Sequence, residues 1–165
     1  MKYLDNLLKT TDYIAILNEL EQVEAGRRFC KHGLSHLLSV ARIAWIENLE
    51  QNFNMEKEMI YLAAFLHDIG RLEEDKSGIR HEQSSAVISE RMLTQLGYPQ
   101  DKMREIGEAI ISHRGDMAQN VEAHEGMTLG RLIKKADKMS RNCFNCKASV
   151  ECKWPFEEKN WEIIR

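Results

Sequence analysis

The apolar residues of this chain recur at helical spacing almost from end to end, and no run alternates in the manner of a strand. With two prolines in 165 residues, that periodicity constrains the chain to an all-α fold of six or more helices. Thr10-Thr11-Asp12 supplies a cap for a helix reaching about Arg27, with Ile14, Ile16, Leu17, Leu20 and Val23 as its stripe. Further helices are expected over about 34–52, 55–69, 81–96, 99–114 and 128–141. Gly70 is placed to end the third, Pro99 suits the first turn of the fifth, and Thr128 suits a cap of the sixth. Residues 71–80 read as a polar loop with a turn at Asp75-Lys76-Ser77-Gly78. Residues 115–126 read as a second loop, with His124 exposed in it.

One domain is the default at this length, with a core of about 30–141 and a Cys-containing tail over 142–165. Such a chain can bury roughly 68–70% of its unfolded surface. Its 23 basic and 26 acidic residues leave a formal charge of −3, which argues against a general nucleic-acid or membrane-surface binder. No apolar stretch approaches the roughly 20 residues of a membrane span. The start, Met1-Lys2-Tyr3-Leu4-Asp5-Asn6, has an early acid and no long apolar segment, so it does not read as a signal peptide. The expected compartment is the cytoplasm, where cysteines persist as thiols or metal ligands rather than disulfides.

The apolar run Met59-Ile60-Tyr61-Leu62-Ala63-Ala64-Phe65-Leu66 ends on His67-Asp68-Ile69-Gly70. A buried helix gains nothing from two polar residues at its end unless something satisfies them. His36 shares a helix face with Val40 and Ile43, at i+4 and i+7. His81 opens a helix on the side of Ser84, Ser85 and Ile88. His113 follows Ile106, Ala109 and Ile110, and Asp137 follows Ile133 with Ala136 beside it. Each of these positions alone has an ordinary reading as a hydrogen-bonded core histidine or a helix-end charge. Together they place imidazoles and two carboxylates, Asp68 and Asp137, where burial is costly without a counter-charge. That set favours a divalent metal: Mn, Fe, Co, Ni or Zn. His32, four residues before His36, is assigned to the site entrance or the surface, because the apolar stripe continues from His36.

The segments His36-Leu37-Leu38-Ser39-Val40-Ala41-Arg42-Ile43-Ala44 and Ala63-Ala64-Phe65-Leu66-His67-Asp68-Ile69-Gly70 resemble the motifs of the HD-domain family of metal-dependent phosphohydrolases. Ala109-Ile110-Ile111-Ser112-His113-Arg114 and Ile133-Lys134-Lys135-Ala136-Asp137-Lys138 are similar to its later motifs. The resemblance spans about residues 30–141 and implies a helical HD-domain bundle. It implies that His36, His67, Asp68 and Asp137 hold one metal. By the same resemblance, His81 and His113 fit the extra ligands of two-metal members, with Asp68 bridging. The ligand order resembles the bacterial dinucleoside polyphosphate hydrolases. It also echoes cyclic-dinucleotide phosphodiesterases, whose Gly-Tyr-Pro signature this chain lacks. The implied reaction is hydrolysis of a phosphoester or phosphoanhydride in a small, anionic, nucleotide-like substrate by metal-activated water. Asp68 is the central catalytic candidate. Arg71 and Arg114, each just after a ligand, sit where a bidentate fork reaches phosphate. Two other classes remain open: a non-catalytic nucleotide-binding module and a diiron oxygenase on the same scaffold. Residues 131–147 carry Arg131, Lys134, Lys135, Lys138, Arg141 and Lys147 against Asp137 alone, either a solvated face or a steering field for an anion.

Cys143-Phe144-Asn145-Cys146 and Cys152 give C-x2-C-x5-C, a spacing common among zinc ligands, although a closed structural site needs four. Cys30 lies six residues before His36, and Cys143 lies six after Asp137. If His36 and Asp137 share a metal on antiparallel helices, Cys30 and Cys143 are displaced the same way, by about 9 Å, and can meet. A structural zinc on Cys30, Cys143, Cys146 and Cys152, a redox-sensitive thiol cluster and unconnected thiols are the three readings. The cysteine module lies outside the standard HD pattern.

Overall fold

The computed structural model describes residues 1–114 and 126–163, with Asp75 described by its backbone alone. The described residues are helical, without strands. The helices are α1 (Lys2–Thr10), α2 (Tyr13–Val23), α3 (Leu34–Glu50), α4 (Lys57–Leu66), α5 (Arg71–Ser77), α6 (His81–Gln95), α7 (Gln100–Ser112) and α8 (Leu129–Met139). His124 lies outside the described residues. No helix is long and apolar enough to cross a membrane among the residues described.

α4 is the centre of the bundle, touching α1, α3, α6, α7 and α8. Met59, Ile60, Leu62, Ala63, Ala64, Phe65 and Leu66 are all buried, and a helix apolar on every side belongs in the interior. α3 packs on α4 and α8, while α6 and α7 form an antiparallel pair joined through Gly97. Tyr13 is fully buried, and its hydroxyl donates to the Phe65 carbonyl at 2.7 Å. That bond satisfies a carbonyl at the end of α4 and fixes the exit of the chain toward His67.

Several elements differ from the expectation. α1 precedes the first expected helix and packs on α2 and α4. The α2 face that enters the core is Tyr13, Leu17 and Leu20, while Ile14 and Val23 are exposed. α4 stops at Leu66, and residues 67–70 form a turn whose peptide groups carry the His-Asp pair inward. Gly70 therefore does not end α4. It stands before α5 at φ −82° and is needed for closeness: a Cβ there would lie 2.3 Å from the Ser85 nitrogen and 2.6 Å from the His81 carbonyl oxygen.

The expected loop over 71–80 is largely the helix α5. Glu73 and Glu74 occupy its first turn, where acids favour the helix N-terminus. Gly78, at φ +72°, ends it in the left-handed conformation that glycine adopts without strain. Thr128 caps α8 as expected, its hydroxyl oxygen accepting from the Arg131 N–H at 3.3 Å.

Candidate metal centre

The ends of α4 and α7, the starts of α3 and α6, and the last turn of α8 converge on Asp68. This carboxylate is 2% exposed. His67 Nε2 lies 3.2 Å and His36 Nε2 3.6 Å from Asp68 Oδ2. His81 Nε2 lies 3.3 Å and His113 Nε2 3.9 Å from Oδ1. The ligand atoms form two compact groups, His36–His67–Asp68 and Asp68–His81–His113, each with all its atoms within 4.8 Å of one another. Asp68 is common to both.

The outer nitrogen of each ring is tied down. His67 Nδ1–H donates to the Ala64 carbonyl at 2.7 Å, and His113 Nδ1–H donates to the Ile110 carbonyl. Both bonds reach back three residues to the last turn of the preceding helix, where carbonyls are otherwise unpaired. His81 Nδ1 is 3.0 Å from Glu74 Oε2. His36 Nδ1 is 3.3 Å from Ser140 Oγ, whose own proton goes to the Asp137 carbonyl at 2.7 Å. The carbonyls and that committed hydroxyl only accept, so Nδ1 carries a proton on His36, His67 and His113 and Nε2 faces inward, while His81 Nδ1 lies between the Glu74 carboxylate and the donor Arg114 Nη1, 2.8 Å away. This is the arrangement by which metal-binding histidines are oriented.

The inward atoms make no well-aligned hydrogen bond, although Arg71 Nε stands beside Asp68 Oδ1. The Nε2 atoms of His36, His67 and His81, and Asp68 Oδ1, are buried without a hydrogen-bond partner. Unsatisfied buried groups cost about 1–3 kcal/mol each, and more when charged. Divalent cations fit such a set, since three imidazole nitrogens and a carboxylate are borderline-soft ligands. Burial opposes charge on both partners of the His67–Asp68 pair. The Asp68 charge outweighs burial and pushes His67 up to about 9, and His67 with Arg71 holds Asp68 well below the usual carboxylate range. Burial, reinforced by Arg71, pushes His81 down to about 3, against the pull of Asp68. Asp68 therefore stays ionised with His67 as its protonated partner, a proton that a bound divalent ion would replace, and His81 stays neutral.

Asp137 was expected to be buried, but its side chain is 36% exposed. It stands at the rim, 3.4 Å from His36 Nε2, because α8 presents Ile133 and Ala136 to the core and Asp137 lies one position past them. It belongs to neither compact group. Arg71 Nε is 2.9 Å from Asp68 Oδ1, and Arg71 also reaches Glu74 at 4.0 Å. Arg114 Nη1 is 2.8 Å from His81 Nδ1 and 3.7 Å from Glu74 Oε1. His32 is buried rather than on the surface. Its ring packs edge-on against His36 at 5.5 Å, and Glu24 accepts both its backbone N–H and its Nδ1–H at 2.7 Å.

A cavity of about 620 Å³ opens over this set, with His32, His36, Arg71, His113, Arg114, Lys134, Lys138, Arg141 and Asp137 in its lining. Lys134, Lys138 and Arg141 of the basic segment thus face the cavity, whereas Lys135 pairs with Glu47. Sequence reading missed Glu74, Ser140 and Glu24. Glu74 lay in the stretch read as loop. Ser140 follows Asp137 by three residues, and Glu24 precedes His32 by eight; neither spacing marks a pair.

The HD domain family matches residues 33–142 of the chain. An uncharacterized protein of Clostridium beijerinckii is 40% identical over 157 residues, covering 95% of each chain. A crystal structure of a protein named "predicted HD superfamily hydrolase", from an uncultured Thermotogales bacterium, has the same fold, with a TM-score of 0.58 at 22% identity. The alignment covers 78% of this chain and 66% of that one. HD domains bind divalent metals, and the two His/Asp groups around Asp68 are able to hold them. By the match over residues 33–142, and by a relative sharing two in five residues along nearly its whole length, the chain belongs to the HD-domain family.

Proposed function

We propose that this chain is a metal-dependent phosphohydrolase that cleaves a phosphoester or phosphoanhydride of a small nucleotide-like substrate. The observation that supports this most is the convergence of the Nε2 atoms of His36, His67, His81 and His113 on the buried Asp68 carboxylate beneath a basic cavity. His36, His67, Asp68 and Asp137 would hold one ion, and Asp68, His81 and His113 a second. Bound divalent ions supply an activated water and neutralise charge developing on the phosphoryl group.

The chain's own residues do the rest. Ala64, Ile110 and Ser140 hold the Nδ1 sides of His67, His113 and His36, and Glu74 with Arg114 fixes the ring of His81, so the four rings are oriented before a metal binds. Arg71 and Arg114 reach the cavity from either side of Glu74, and their planar forks suit phosphate oxygens. Glu74 keeps both guanidiniums beside His81, restraining long side chains before a substrate binds. Lys134 and Lys138 add positive potential at the rim, which draws anions toward the site. The cavity volume falls in the roughly 300–1,000 Å³ range of small-molecule sites, which supports a nucleotide-sized substrate over a polymer. The cytoplasm is the compartment in which such substrates and reduced thiols coexist.

The test is a phosphate-release screen on chelator-stripped protein reloaded with Mn, Fe, Co, Ni or Zn. The panel holds mononucleotides, deoxynucleoside triphosphates and dinucleoside polyphosphates. Hydrolysis restored by metal, and strongest on one of these classes, is expected. Metal-loaded protein that binds nucleotides without cleaving them would make it a binding module. Metal-dependent oxygen consumption with an organophosphonate would make it an oxygenase.

A further inference from the structure

Every cysteine of this chain faces one cavity. Cys143 opens a 3₁₀ turn, Cys143–Asn145, soon after α8, and Cys146 follows that turn. Cys152 comes later in the tail, and Cys30 precedes α3 by four residues. All four are free thiols, and all four line a cavity of about 600 Å³ with Trp154, Arg141, Lys31 and Lys159. Cys30 opens onto this cavity from its solvent side. Gathering four thiolates on one cavity requires a cation. Arg141 adds a separate sign of an absent partner. Its guanidinium lies 4.4 Å from the Trp154 ring centroid, its Nε donates to the Lys138 carbonyl at 2.9 Å and its Nη2 to the Glu158 carbonyl at 3.3 Å. Its Nη1 is buried with no acceptor. A buried guanidinium N–H beside four sulfurs is a donor waiting for an anion.

We infer that Cys30, Cys143, Cys146 and Cys152 ligate a second metal centre, separate from the His/Asp set, and that its occupant is an iron–sulfur cluster rather than a single zinc ion. Thiolates are soft ligands that select zinc or iron–sulfur clusters over the metals suited to His/Asp sites. Spacing favours the cluster. Four sulfurs bound to zinc at about 2.3 Å form a tetrahedron with edges of about 3.8 Å. Among the described residues the groups that close to within 4.8 Å are the two His/Asp ones, and no three cysteines do so. A [4Fe–4S] cluster places each thiolate on a different iron and fills the space between them with iron and sulfide. It therefore needs a wider ligand frame around an open centre, as the cavity provides. The net negative charge of a four-thiolate cluster is met by Arg141, Lys31 and Lys159, and hydrogen bonds to sulfur are among the features that tune such centres. The centre would clamp the tail to the chain entering α3. Cys30 and Cys152 also line the cavity above the His/Asp set, so the clamp would hold one wall of that cavity.

The full chain, expressed with iron and purified without oxygen, tests this by its acid-labile sulfide, iron and zinc per chain. Visible absorption and the electron paramagnetic resonance of dithionite-reduced protein complete the measurement. Sulfide is the deciding quantity, because the His/Asp set also takes iron. The expected result is about four sulfides per chain with a visible charge-transfer band. Cys146→Ser and Cys30→Ser should each lose the band and the sulfide while keeping the helical circular dichroism. His67→Ala should keep both. Four thiols that react freely with no metal or sulfide present would overturn the centre. Zinc without sulfide would overturn the cluster. An unchanged band in Cys30→Ser would remove Cys30 from the ligand set. Should a serine variant fail to fold, the sulfide content of the unaltered chain still decides.

Discussion

Gly70→Ala tests how the His-Asp turn is joined to α6. The backbone at Gly70, φ −82°, suits alanine as well as glycine, so the substitution adds one methyl and no torsional strain. That methyl would lie 2.3 Å from the Ser85 nitrogen, 2.6 Å from the His81 carbonyl oxygen and 2.7 Å from the Ser84 Cβ. Two of these are backbone atoms of α6, which cannot rotate aside. Restoring contact distances near 3.5 Å moves the first turn of α6 by about 1 Å away from the turn. Overpacking costs about 1–3 kcal/mol. Straining the buried bond from the Gly70 N–H to Ser85 Oγ, now 2.8 Å, adds about 1 kcal/mol. A total of about 2–4 kcal/mol lowers the melting temperature by about 4–16 °C for a chain of this size. The first residue of α6 is His81, so the same shift should lengthen its 3.3 Å approach to Asp68 and weaken the second metal group. The assay is thermal melting by circular dichroism together with metal per folded chain, in which one ion should be lost and one retained. A wild-type melting temperature with full metal would refute the reasoning.

Other outcomes follow from the same geometry. Asp68→Ala removes the carboxylate common to both groups and should empty most of the metal and abolish hydrolysis, while circular dichroism shows the fold partly surviving because α4 is intact. His81→Ala and His113→Ala should each reduce occupancy to about one metal per chain by elemental analysis; wild-type occupancy in both would make these histidines core or substrate residues. Glu24→Gln probes pH. The Glu24 carboxyl is buried, which alone would raise it, but hydrogen bonds from His32 and the Arg27 charge hold it below its ordinary value. A carboxyl depressed in the folded state adds stability fully present above its unfolded value of about 4.3, and that stability is lost as pH falls through the folded value. Wild type should therefore exceed the variant by roughly 1.5–3 kcal/mol at neutral pH, and the gap should narrow in acid. A gap that is constant from pH 7 to pH 3 by urea titration would show that the charge contributes nothing.

The convergence of His36, His67, Asp68, His81 and His113 was legible because helical periodicity reports which face a residue takes. His36 among Val40 and Ile43, and His113 after Ile106, Ala109 and Ile110, could face only the core. The unbroken apolar run before His67 fixed α4 as central. Periodicity does not report how far a neighbour covers that face, so Asp137 was read as buried although it stands at the rim. The same blindness made Ile14 and Val23 look like core. α5 was hidden because Leu72 is the only large apolar side chain in Arg71–Ser77, and with it went Glu74, which orients His81 and both arginines. Tyr13, Glu24 and Ser140 act through single hydrogen bonds to distant or irregularly spaced partners, which leave no pattern in a chain. The meeting of Cys30 with the tail cysteines was legible by counting from His36 and Asp137, because α3 packs on α8.

The central claim is that chemistry at Asp68 depends on metal held by the histidines around it. The most direct measurement is phosphate release by chelator-stripped protein as a function of divalent ion added per chain, with Asp68→Ala alongside. The account predicts no turnover by the stripped chain, recovery that saturates once the sites around Asp68 are filled, and none at any loading in the variant. Full turnover by the stripped chain, or by Asp68→Ala, would contradict it.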